Sequence, residues 1–420
     1  MKILVVGSGG REHAVIRKLK ESRHQPQLFC CPGNAGIAED AICVDIKATD
    51  IPGVVSYAKG NQMDLVVVTP DDPLVLGMVD ALNAEGIRAF GPNKAAAIIE
   101  GSKAFSKDLM KRYGIPTAKY ETFDNSAAAM EYIRAQGSYP VVIKADGLAL
   151  GKGVIIAQNE QEAQEAVISM IEGGIFGASG SHVVIEEFLT GPEVSVLSFT
   201  DGTVVRTMVS SMDHKRAYDN DEGPNTGGMG TIAPNPHYTS ELAEVCRRTI
   251  FEPTIQAMKQ EGREFHGCLY FGLMMTPDGP KVIEYNCRFG DPETQVVLPL
   301  LDGDLVDIME ATIDGTLSEV PFSRKPETAA CVVLASGGYP KKYQTGYEIT
   351  GIASAEKEFG VTVYHAGTKS ADGKLVTGGG RVLGVTATAP TLEQALQKAY
   401  QGAETIQFTD KHFRTDIGRK

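Results

Sequence analysis

The stretch of residues 282–293 holds the residue types with the most evident chemistry in this chain of 420 residues. Its first half alternates apolar and polar residues, which predicts a strand whose alternate side chains share one face. Glu284, Asn286 and Arg288 therefore project together. Carboxylate and amide oxygens suit Mg²⁺ better than zinc, and a guanidinium suits phosphate or carboxylate. The stretch predicts a metal seat, formed by Glu284 and Asn286, beside an anion clamp, formed by Arg288, as phosphoryl transfer requires. The alternative is an exposed polar face of the strand with Arg288 paired to Glu284.

A glycine-rich run in the first half of the chain suits a bound nucleotide. Lys144 ends a predicted strand and leads into a run that contains Gly147, Gly151, Lys152 and Gly153. The spacing is not that of a Walker A loop, and the run lies between two predicted strands. We interpret it as a hairpin that folds over phosphates as a lid, with Lys144 as a positive contact to them. The alternative is a solvated hairpin with two surface lysines.

The segment after the next predicted strand has the form of a nucleotide-binding linker. Glu186, Glu187 and Leu189 close that strand, and Glu193 opens the following one. A linker between two lobes can offer a backbone N–H and a C=O to an adenine edge, and a carboxylate can accept from ribose hydroxyls. Taken alone, the same residues also fit an ordinary linker with acidic surface side chains.

A glycine-rich loop near the start of the chain has the composition of an anion site. Gly7, Gly9 and Gly10 stand between the first predicted strand and the first predicted helix, where backbone N–H groups can approach an anion. A dinucleotide site is disfavoured, because Glu12 replaces the third fingerprint glycine and no acidic residue ends the second strand. A phosphate-bearing substrate fits better, and a tight turn without a ligand is the alternative.

A second polar loop follows a motif that sets three potential cations beside one carboxylate. The motif reads Asp213-His214-Lys215-Arg216. The loop after it is expected to lack secondary structure and to form a nest of N–H groups for an anion, with a disordered excursion as the alternative. Its residues are Gly223, Pro224, Asn225, Thr226, Gly227, Gly228, Met229 and Gly230. His214 as a catalytic base is a weaker hypothesis, because no nucleophile elbow accompanies it.

The elements that must position these residues divide into successive parts. Strands at 2–6, 27–30 and 64–69 alternate with helices at 11–20 and 74–84, which predicts a parallel sheet with ligands at the carboxyl ends of its strands. A helix at 103–113, a strand–turn–strand unit at 141–157 and two hairpins with Asp-Gly turns follow. Beyond residue 324, several short strands and a helix at 392–405 predict a separate α+β domain.

Composition restricts the class of protein. The net charge is −13, from 40 basic and 53 acidic residues, which argues against a general nucleic-acid binder. No long apolar segment is present, so no membrane span is expected. The 7 cysteines lack C-x-x-C spacing and predict buried thiols of a reducing compartment. A strand begins directly after Met1, so no leader is expected and the cytoplasm is the expected location; we also expect a monomer.

In their order along the chain, these motifs resemble those of the ATP-grasp enzymes, and most closely those of the phosphoribosylamine–glycine ligase family of purine biosynthesis. The resemblance covers the whole chain and is carried by residues 7–13, 144–149, 213–216, 224–230 and 286–293. It implies an α/β and α+β multidomain fold. An N-terminal βαβ domain at 1–101 would precede an ATP-grasp core, with a small subdomain at 102–190 and a large one at 191–324, and a C-terminal α+β domain at 325–420.

The resemblance also implies a reaction and a role for each motif. ATP would phosphorylate the carboxylate of glycine, and the amine of 5-phosphoribosylamine would attack the acyl phosphate to give glycinamide ribonucleotide, ADP and phosphate. Glu284 and Asn286 would hold Mg²⁺, with Mn²⁺ as a substitute, Arg288 would steady the acyl phosphate, and Asp213 would pair with the ammonium of glycine. The implied ATP contacts are Lys103, Lys144, Lys152, Glu186, Glu187, Leu189 and Glu193, and those to the ribose phosphate are Gly7, Gly9, Gly10, Asn225, Thr226, Gly227 and Gly228.

One departure and three rival functions qualify this resemblance. The predicted strand at 272–276 carries no acidic residue, whereas many ATP-grasp enzymes have a second metal ligand there, so the number of metal ions stays open. A different ATP-grasp ligase would share the nucleotide residues but differ at 213–230. A nicotinamide-dependent oxidoreductase would need an acidic residue after the second strand. A non-catalytic nucleotide-binding regulator would tolerate loss of Glu284 or Asn286, and both are present.

Overall fold

The computed structural model describes residues 1–148, 153–173 and 182–419. The strands, in chain order, are β1 (Lys2–Gly7), β2 (Gln27–Pro32), β3 (Ile42–Cys43), β4 (Leu65–Val68), β5 (Ala89–Phe90), β6 (Tyr120–Phe123), β7 (Val141–Ala145), β8 (Val154–Ala157), β9 (Val183–Glu187), β10 (Glu193–Asp201), β11 (Val205–Thr207), β12 (Met212–Asp213), β13 (Arg216–Tyr218), β14 (Glu222–Asn225), β15 (Gly230–Ala233), β16 (His266–Thr276), β17 (Gly279–Asn286), β18 (Leu301–Asp302), β19 (Ser323–Arg324), β20 (Thr328–Ser336), β21 (Thr362–His365), β22 (Thr368–Ala371), β23 (Lys374–Thr377), β24 (Arg381–Ala389) and β25 (Lys411–His412). The helices are α1 (Gly10–Lys20), α2 (Ile37–Asp40), α3 (Ile51–Gly60), α4 (Asp71–Leu76), α5 (Met78–Ala84), α6 (Lys94–Gly101), α7 (Lys103–Tyr113), α8 (Ser126–Gln136), α9 (Glu160–Ile171), α10 (Ser240–Cys246), α11 (Glu252–Gln260), α12 (Thr294–Val297), α13 (Leu305–Asp314), α14 (Ile352–Phe359) and α15 (Leu392–Thr405).

The first five strands form a parallel sheet in the order β3-β2-β1-β4-β5. Strand β1 pairs in parallel with both β2 and β4, and its apolar residues are fully buried because the sheet is covered on both faces. The expected α/β sheet is confirmed. The helix expected at 74–84 is instead two helices, α4 and α5, because Gly77 adopts a left-handed φ of 97° and ends the first of them.

Two antiparallel sheets follow, and they carry most residues expected to bind nucleotide and metal. Their strand orders are β6-β9-β7-β8 and β11-β10-β16-β17. Both expected hairpins form, β10 with β11 and β16 with β17. Lys144 lies on β7, and Glu284 and Asn286 lie on β17. The lid expected at 148–152 lies almost wholly outside the described residues, and Lys152 is among those outside.

A third large sheet joins the middle of the chain to its C-terminal part. Its order is β12-β15-β20-β24-β21, and β25 also pairs with β20. The central pairing is antiparallel, with Gly230 of β15 opposite Val332 of β20. Two strands from 212–233 therefore belong to the sheet of the expected C-terminal α+β domain. The expected boundaries at 101, 190 and 324 stay predictions.

The expectation that residues 223–230 lack secondary structure is wrong. Strands β13 and β14 pair as a short antiparallel hairpin across a 3-10 turn at Asp219–Asp221. Strand β15 begins at Gly230, so only residues 226–229 link the hairpin to the large sheet. The glycine-rich loop is thus short and is held at both ends.

The cysteines and the helices bear on two further expectations, which are buried thiols and the lack of a membrane span. All seven cysteines are free thiols, and every one except Cys43 is buried, as expected. Among the residues that the structure describes, no helix is both long and apolar enough to cross a membrane.

Candidate active site

The expected metal seat lies at the end of β17, in a field of positive charge. The Glu284 carboxylate is 3.8 Å from the Lys215 ammonium. Burial alone would raise the pKa of Glu284, but Lys215, Lys144, Lys103 and Arg288 outweigh this effect and hold the pKa below its ordinary value. An ionised carboxylate beside the amide oxygen of a residue two positions on is a donor set that fits Mg²⁺.

Lys144 and Lys103 reach the same region from the other antiparallel sheet and from α7. The Lys144 ammonium donates to the Ile283 carbonyl at 3.1 Å, directly before the metal seat. The Lys103 ammonium donates to the Gly147 carbonyl at 2.7 Å, at the foot of the expected lid. Both lysines thus flank the position where the nucleotide phosphates are expected.

The Glu186 side chain pairs with two lysines. Its carboxylate is 2.9 Å from the ammonium of Lys144 and 2.9 Å from that of Lys107, and all three side chains are buried. Burial lowers the pKa of Lys107 to about 8. The triad makes Glu186 a counter-ion for two lysines, and its role toward the nucleoside stays a prediction.

The other expected nucleoside contacts lie near this triad on the surface. The Glu187 carboxylate accepts from the Lys119 N–H at 3.0 Å and pairs with Lys281 at 3.3 Å. Glu193 is exposed and lies 3.2 Å from the Lys215 ammonium. Leu189 follows the end of β9 and is half-buried. Their roles toward ATP stay predictions.

Arg288 is paired, but not with Glu284. Its guanidinium is 3.2 Å from Glu100, whose second oxygen accepts from the Cys287 N–H at 2.7 Å. The Arg288 Nε is buried and has no hydrogen-bond partner among the described residues. A buried, unpaired donor is costly unless a ligand satisfies it, which supports the predicted anion clamp.

Asp213 lies at the end of β12, two residues before Lys215. Its carboxylate accepts from the His214 N–H at 2.8 Å. Burial and the neighbouring Glu293 raise the pKa of Asp213 well above its ordinary value. Gly228 must lack a side chain here, because its φ is 113° and a Cβ would lie 2.5 Å from the Asp213 oxygen.

In the second glycine-rich loop, the expected row of free N–H groups is not present. The N–H of Thr226 donates to the Lys215 carbonyl, that of Gly227 to the Tyr339 hydroxyl, and that of Gly228 to the Thr226 hydroxyl. Backbone donors that already have acceptors cannot form an anion nest, so that mechanism is corrected for residues 226–228. In the first loop the Gly9 N–H donates to the Glu12 carboxylate at 2.6 Å. The anion site expected there, and substrate contacts by Gly7, Gly9, Gly10 and residues 225–228, stay predictions.

Arg381 supplies the positive charge that these loops do not. This residue begins β24, and its guanidinium donates to the Gly227 carbonyl at 2.7 Å and to the Asp291 carbonyl at 2.8 Å. A Cβ on Gly227 would lie 2.9 Å from the guanidinium carbon. The glycine therefore makes room for a cation from the C-terminal part of the chain.

Sequence reasoning assigned no role to Lys215, Glu293 or Arg381. Lys215 stood in a quoted motif, and a cation next to Asp213 was a signal that could have found it. Glu293 ended the run that carried the metal seat. Arg381 offered no local signal, because only the pairing of β24 with β20 brings it to the loop.

His214 has a structural role, and it makes stability depend on pH. Its Nε2 accepts the Gly418 N–H at 3.1 Å, which requires a neutral ring. Burial and Arg414 lower its pKa to about 4, and burial and His13 lower that of His365 to about 3. Unfolded histidines take up protons near pH 6.5, so stability falls between pH 6.5 and 4, by up to about 1.4 kcal/mol per pH unit for each residue.

This dependence is tested by denaturant unfolding at several pH values. We expect the free energy of unfolding of the unsubstituted chain to fall steeply below pH 6.5, and His365→Gln to lower it at pH 7.5 but with a shallower slope. Equal slopes in both proteins would mean that His365 does not titrate between the two states.

Models of one family match nearly the whole chain. The phosphoribosylglycinamide synthetase N domain matches residues 1–100, the ATP-grasp (A) domain residues 101–294, and the C domain residues 329–420. The chain belongs to the phosphoribosylglycinamide synthetase family. It is therefore an ATP-grasp ligase, and the expected ATP-grasp architecture is confirmed.

Individual relatives agree with this assignment. A phosphoribosylamine–glycine ligase of Caldanaerobacter subterraneus subsp. tengcongensis is 47% identical over 417 residues, which cover 99% of each chain. A trifunctional purine biosynthetic protein adenosine-3 of Gallus gallus is 47% identical over 99% of this chain and 42% of its own length. The crystal structure of the Thermotoga maritima phosphoribosylamine–glycine ligase superposes with a TM-score of 0.86 at 34% identity, covering 100% of both chains.

Proposed function

We propose that this enzyme uses ATP to join glycine to the amine of 5-phosphoribosylamine, giving glycinamide ribonucleotide, ADP and phosphate. A carboxylate oxygen of glycine attacks the γ-phosphorus, and ADP leaves with the bonding electrons. The amine nitrogen then attacks the acyl carbon, loses a proton, and expels phosphate. No nucleophile of the enzyme is needed, because the activated group is carried by the substrate.

The observation that carries this proposal is the position of Glu284 between two sets of cations. Lys103 and Lys144 approach from the side of the expected lid, and Lys215 approaches from the side of Asp213. A γ-phosphoryl group beside Glu284 lies within reach of both sets. Donor and acceptor of the phosphoryl group can therefore meet at one point, with the developing charge compensated from both sides.

The nucleotide side needs a lysine that can change partners. Lys144 is paired with Glu186, and the phosphates of ATP would offer it a stronger counter-charge. Lys107 stays on Glu186 when Lys144 moves, so the buried carboxylate does not become unpaired. Lys103 adds a second contact to the phosphates.

Glu284 and Asn286 would hold Mg²⁺, and Mn²⁺ could take its place because both ions prefer oxygen ligands. Bound there, the ion neutralises phosphate charge and orients the γ-phosphoryl group. The Lys215 ammonium near Glu284 keeps the carboxylate ionised before the ion binds.

The acceptor side combines one anion and two guanidinium groups. Asp213 pairs with the ammonium of glycine, and the unpaired Nε of Arg288 donates to the acyl phosphate. The Arg381 guanidinium contacts the glycine loop at the Gly227 carbonyl and attracts the ribose phosphate there. A guanidinium suits this task because its planar fork of donors matches a phosphate group.

The experiment that tests the function measures ADP release with a panel of amino acids, with and without phosphoribosylamine made in situ. Sustained release should require both glycine and the amine. Alanine should fail, because a tight pocket rejects one extra methyl group by roughly 1–3 kcal/mol. Release with an unrelated carboxylate, and none with glycine, would leave only the ATP-grasp assignment standing.

A further inference from the structure

The turn that joins β13 to β14 has an unfavourable backbone. Asn220 and Asp221, neither of them glycine, have φ values of 61° and 54°. Such conformations are unfavourable for residues with a side chain, and they persist where surrounding contacts impose them. The turn stands on a hairpin that begins directly after Lys215 and ends directly before Thr226. Something outside the hairpin must hold it in this shape.

The C-terminal tail, residues 411–418, provides that hold through Arg414. The Arg414 side chain is completely buried although it is charged. Its Nε and Nη2 donate to the two oxygens of Asp416, at 2.8 and 2.9 Å. Its Nη1 donates to the Asp221 carboxylate at 2.9 Å and to the Arg216 carbonyl at 3.2 Å. One guanidinium thus ties the tail to β13 and to the turn of the hairpin.

Further contacts of the tail surround the strained turn. The N–H and the hydroxyl of Thr415 donate to the two oxygens of Asp219, at 2.8 and 2.5 Å. The Asn220 N–H donates to Asp416 at 2.9 Å. The ring of His412 is 2.8 Å from the Ala217 carbonyl. Three of the four hairpin residues 217–220, namely Ala217, Asp219 and Asn220, therefore have a hydrogen bond to the tail.

One peptide bond separates the hairpin residue that contacts Arg414 from Lys215, a residue of the candidate active site. Arg216, whose carbonyl accepts from Arg414, follows Lys215 in the chain. The Lys215 carbonyl accepts the N–H of Thr226 at 2.7 Å and its hydroxyl at 2.8 Å. The Lys215 ammonium in turn lies 3.2 Å from Glu193 and 3.8 Å from Glu284. A displacement of the hairpin would therefore displace the Lys215 charge from the metal seat.

We propose that the C-terminal tail is a positioning element of the active site, in which Arg414 and Thr415 fix the β13–β14 hairpin and thereby set the positions of Lys215 and Thr226. The proposal rests on the proposed function for its kinetic part. The tail contacts act on the glycine and amine side, because Lys103 and Lys144 belong to other elements. Loss of the tail contacts should raise KM for glycine and for the amine, and should lower kcat, with little effect on KM for ATP.

Packing of the tail does not by itself explain why residue 414 carries a charge. A buried guanidinium is costly, and an apolar side chain of similar volume would pack the tail as well or better. Unlike an apolar side chain, the guanidinium donates hydrogen bonds to Asp221, Asp416 and the Arg216 carbonyl at the same time. This geometry fixes a register between tail and hairpin.

The test uses the full-length enzyme with three substitutions. Thr415→Val removes one exposed hydroxyl contact to Asp219 and keeps the size of the side chain. Arg414→Met removes the central guanidinium. Arg419→Met is the matched control, since Arg419 lies in the same part of the chain, is exposed, and its guanidinium is described only over the Tyr400 ring. Amide hydrogen exchange without substrates and the kinetics of all three substrates are measured for each.

The expected result is faster exchange at 214–226 in both tail variants, with unchanged protection of β20 and β24. KM for glycine or the amine should rise at least tenfold in Arg414→Met and severalfold in Thr415→Val, with KM for ATP within twofold. Arg419→Met should match the unsubstituted enzyme. Unchanged exchange at 214–226, faster exchange throughout β20 and β24, or an equal rise in all three KM values would overturn the proposal. If the unsubstituted enzyme released no ADP with glycine, the proposed function would be contradicted. The exchange result would still test whether the tail fixes the hairpin.

Discussion

Replacing Glu284 by glutamine is expected to lower kcat by on the order of 10³-fold while the fold is retained. The carboxylate is the one acidic group on the strand that carries the expected metal seat, and four cations face it. A neutral amide leaves the phosphates attracted by Lys103, Lys144 and Lys215 but removes the charge that binds and places Mg²⁺. ATP should therefore still bind, in an arrangement from which transfer is slow.

The measurement is ADP release as a function of Mg²⁺ concentration, together with ATP binding. Asp278→Asn is the matched control, because it makes the same change of acid to amide at an exposed position in the turn of the same hairpin. The control should keep its activity. Near-normal turnover of Glu284→Gln at saturating Mg²⁺ would remove Glu284 from the metal seat.

Asp213→Asn is expected to raise KM for glycine about 100-fold or more, because the ammonium of glycine loses its only proposed counter-charge. KM for ATP should change little. The free carboxyl has a raised pKa through burial and through Glu293, so its protonated form competes with glycine binding. The apparent affinity of the unsubstituted enzyme for glycine should therefore fall as the pH is lowered, and that of Asp213→Asn should not follow this dependence.

Glu293→Gln tests the cause of that pH dependence. Removing the negative charge of Glu293 lowers the pKa of Asp213, so the carboxylate persists to lower pH. The inflection in the pH profile of KM for glycine should move to lower pH. A profile that keeps its inflection in both Asp213→Asn and Glu293→Gln would assign glycine binding to another group.

The elements of this fold were predictable where local signals mark them. Helix α7 was predicted with its observed bounds, because Ser102 caps its first turn and Gly114 ends it in a left-handed conformation. The break at Gly77 was missed, since a single glycine inside an apolar pattern is also compatible with a continuous helix. The pairing of β15 with β20 could not be predicted, because it joins strands about a hundred residues apart that share no turn.

The site was predictable in its residue types more than in its contacts. Alternation predicted that Glu284, Asn286 and Arg288 share one face of a strand; Glu284 and Asn286 lie on β17, which ends before Arg288, and Lys144 donates to the neighbouring Ile283 carbonyl. The anion nest expected at residues 226–228 is not formed, because sequence does not show whether a backbone N–H already has an acceptor. Tyr339 is that acceptor at Gly227, across 112 residues of chain. Arg381 was missed because the pairing of β24 with β20, which brings it to the loop, leaves no local signal in the sequence.

Because β15 and β20 belong to one sheet, the chain segments that carry these two strands need each other to complete it. The family models divide the chain into three segments, yet the hydrogen bonds of this sheet cross from the second segment to the third. A gene fragment that encoded either segment alone would specify an incomplete sheet. The chicken relative holds a counterpart to 99% of this chain inside a much longer protein, rather than to one segment of it. The second and third segments therefore depend on each other for a complete sheet.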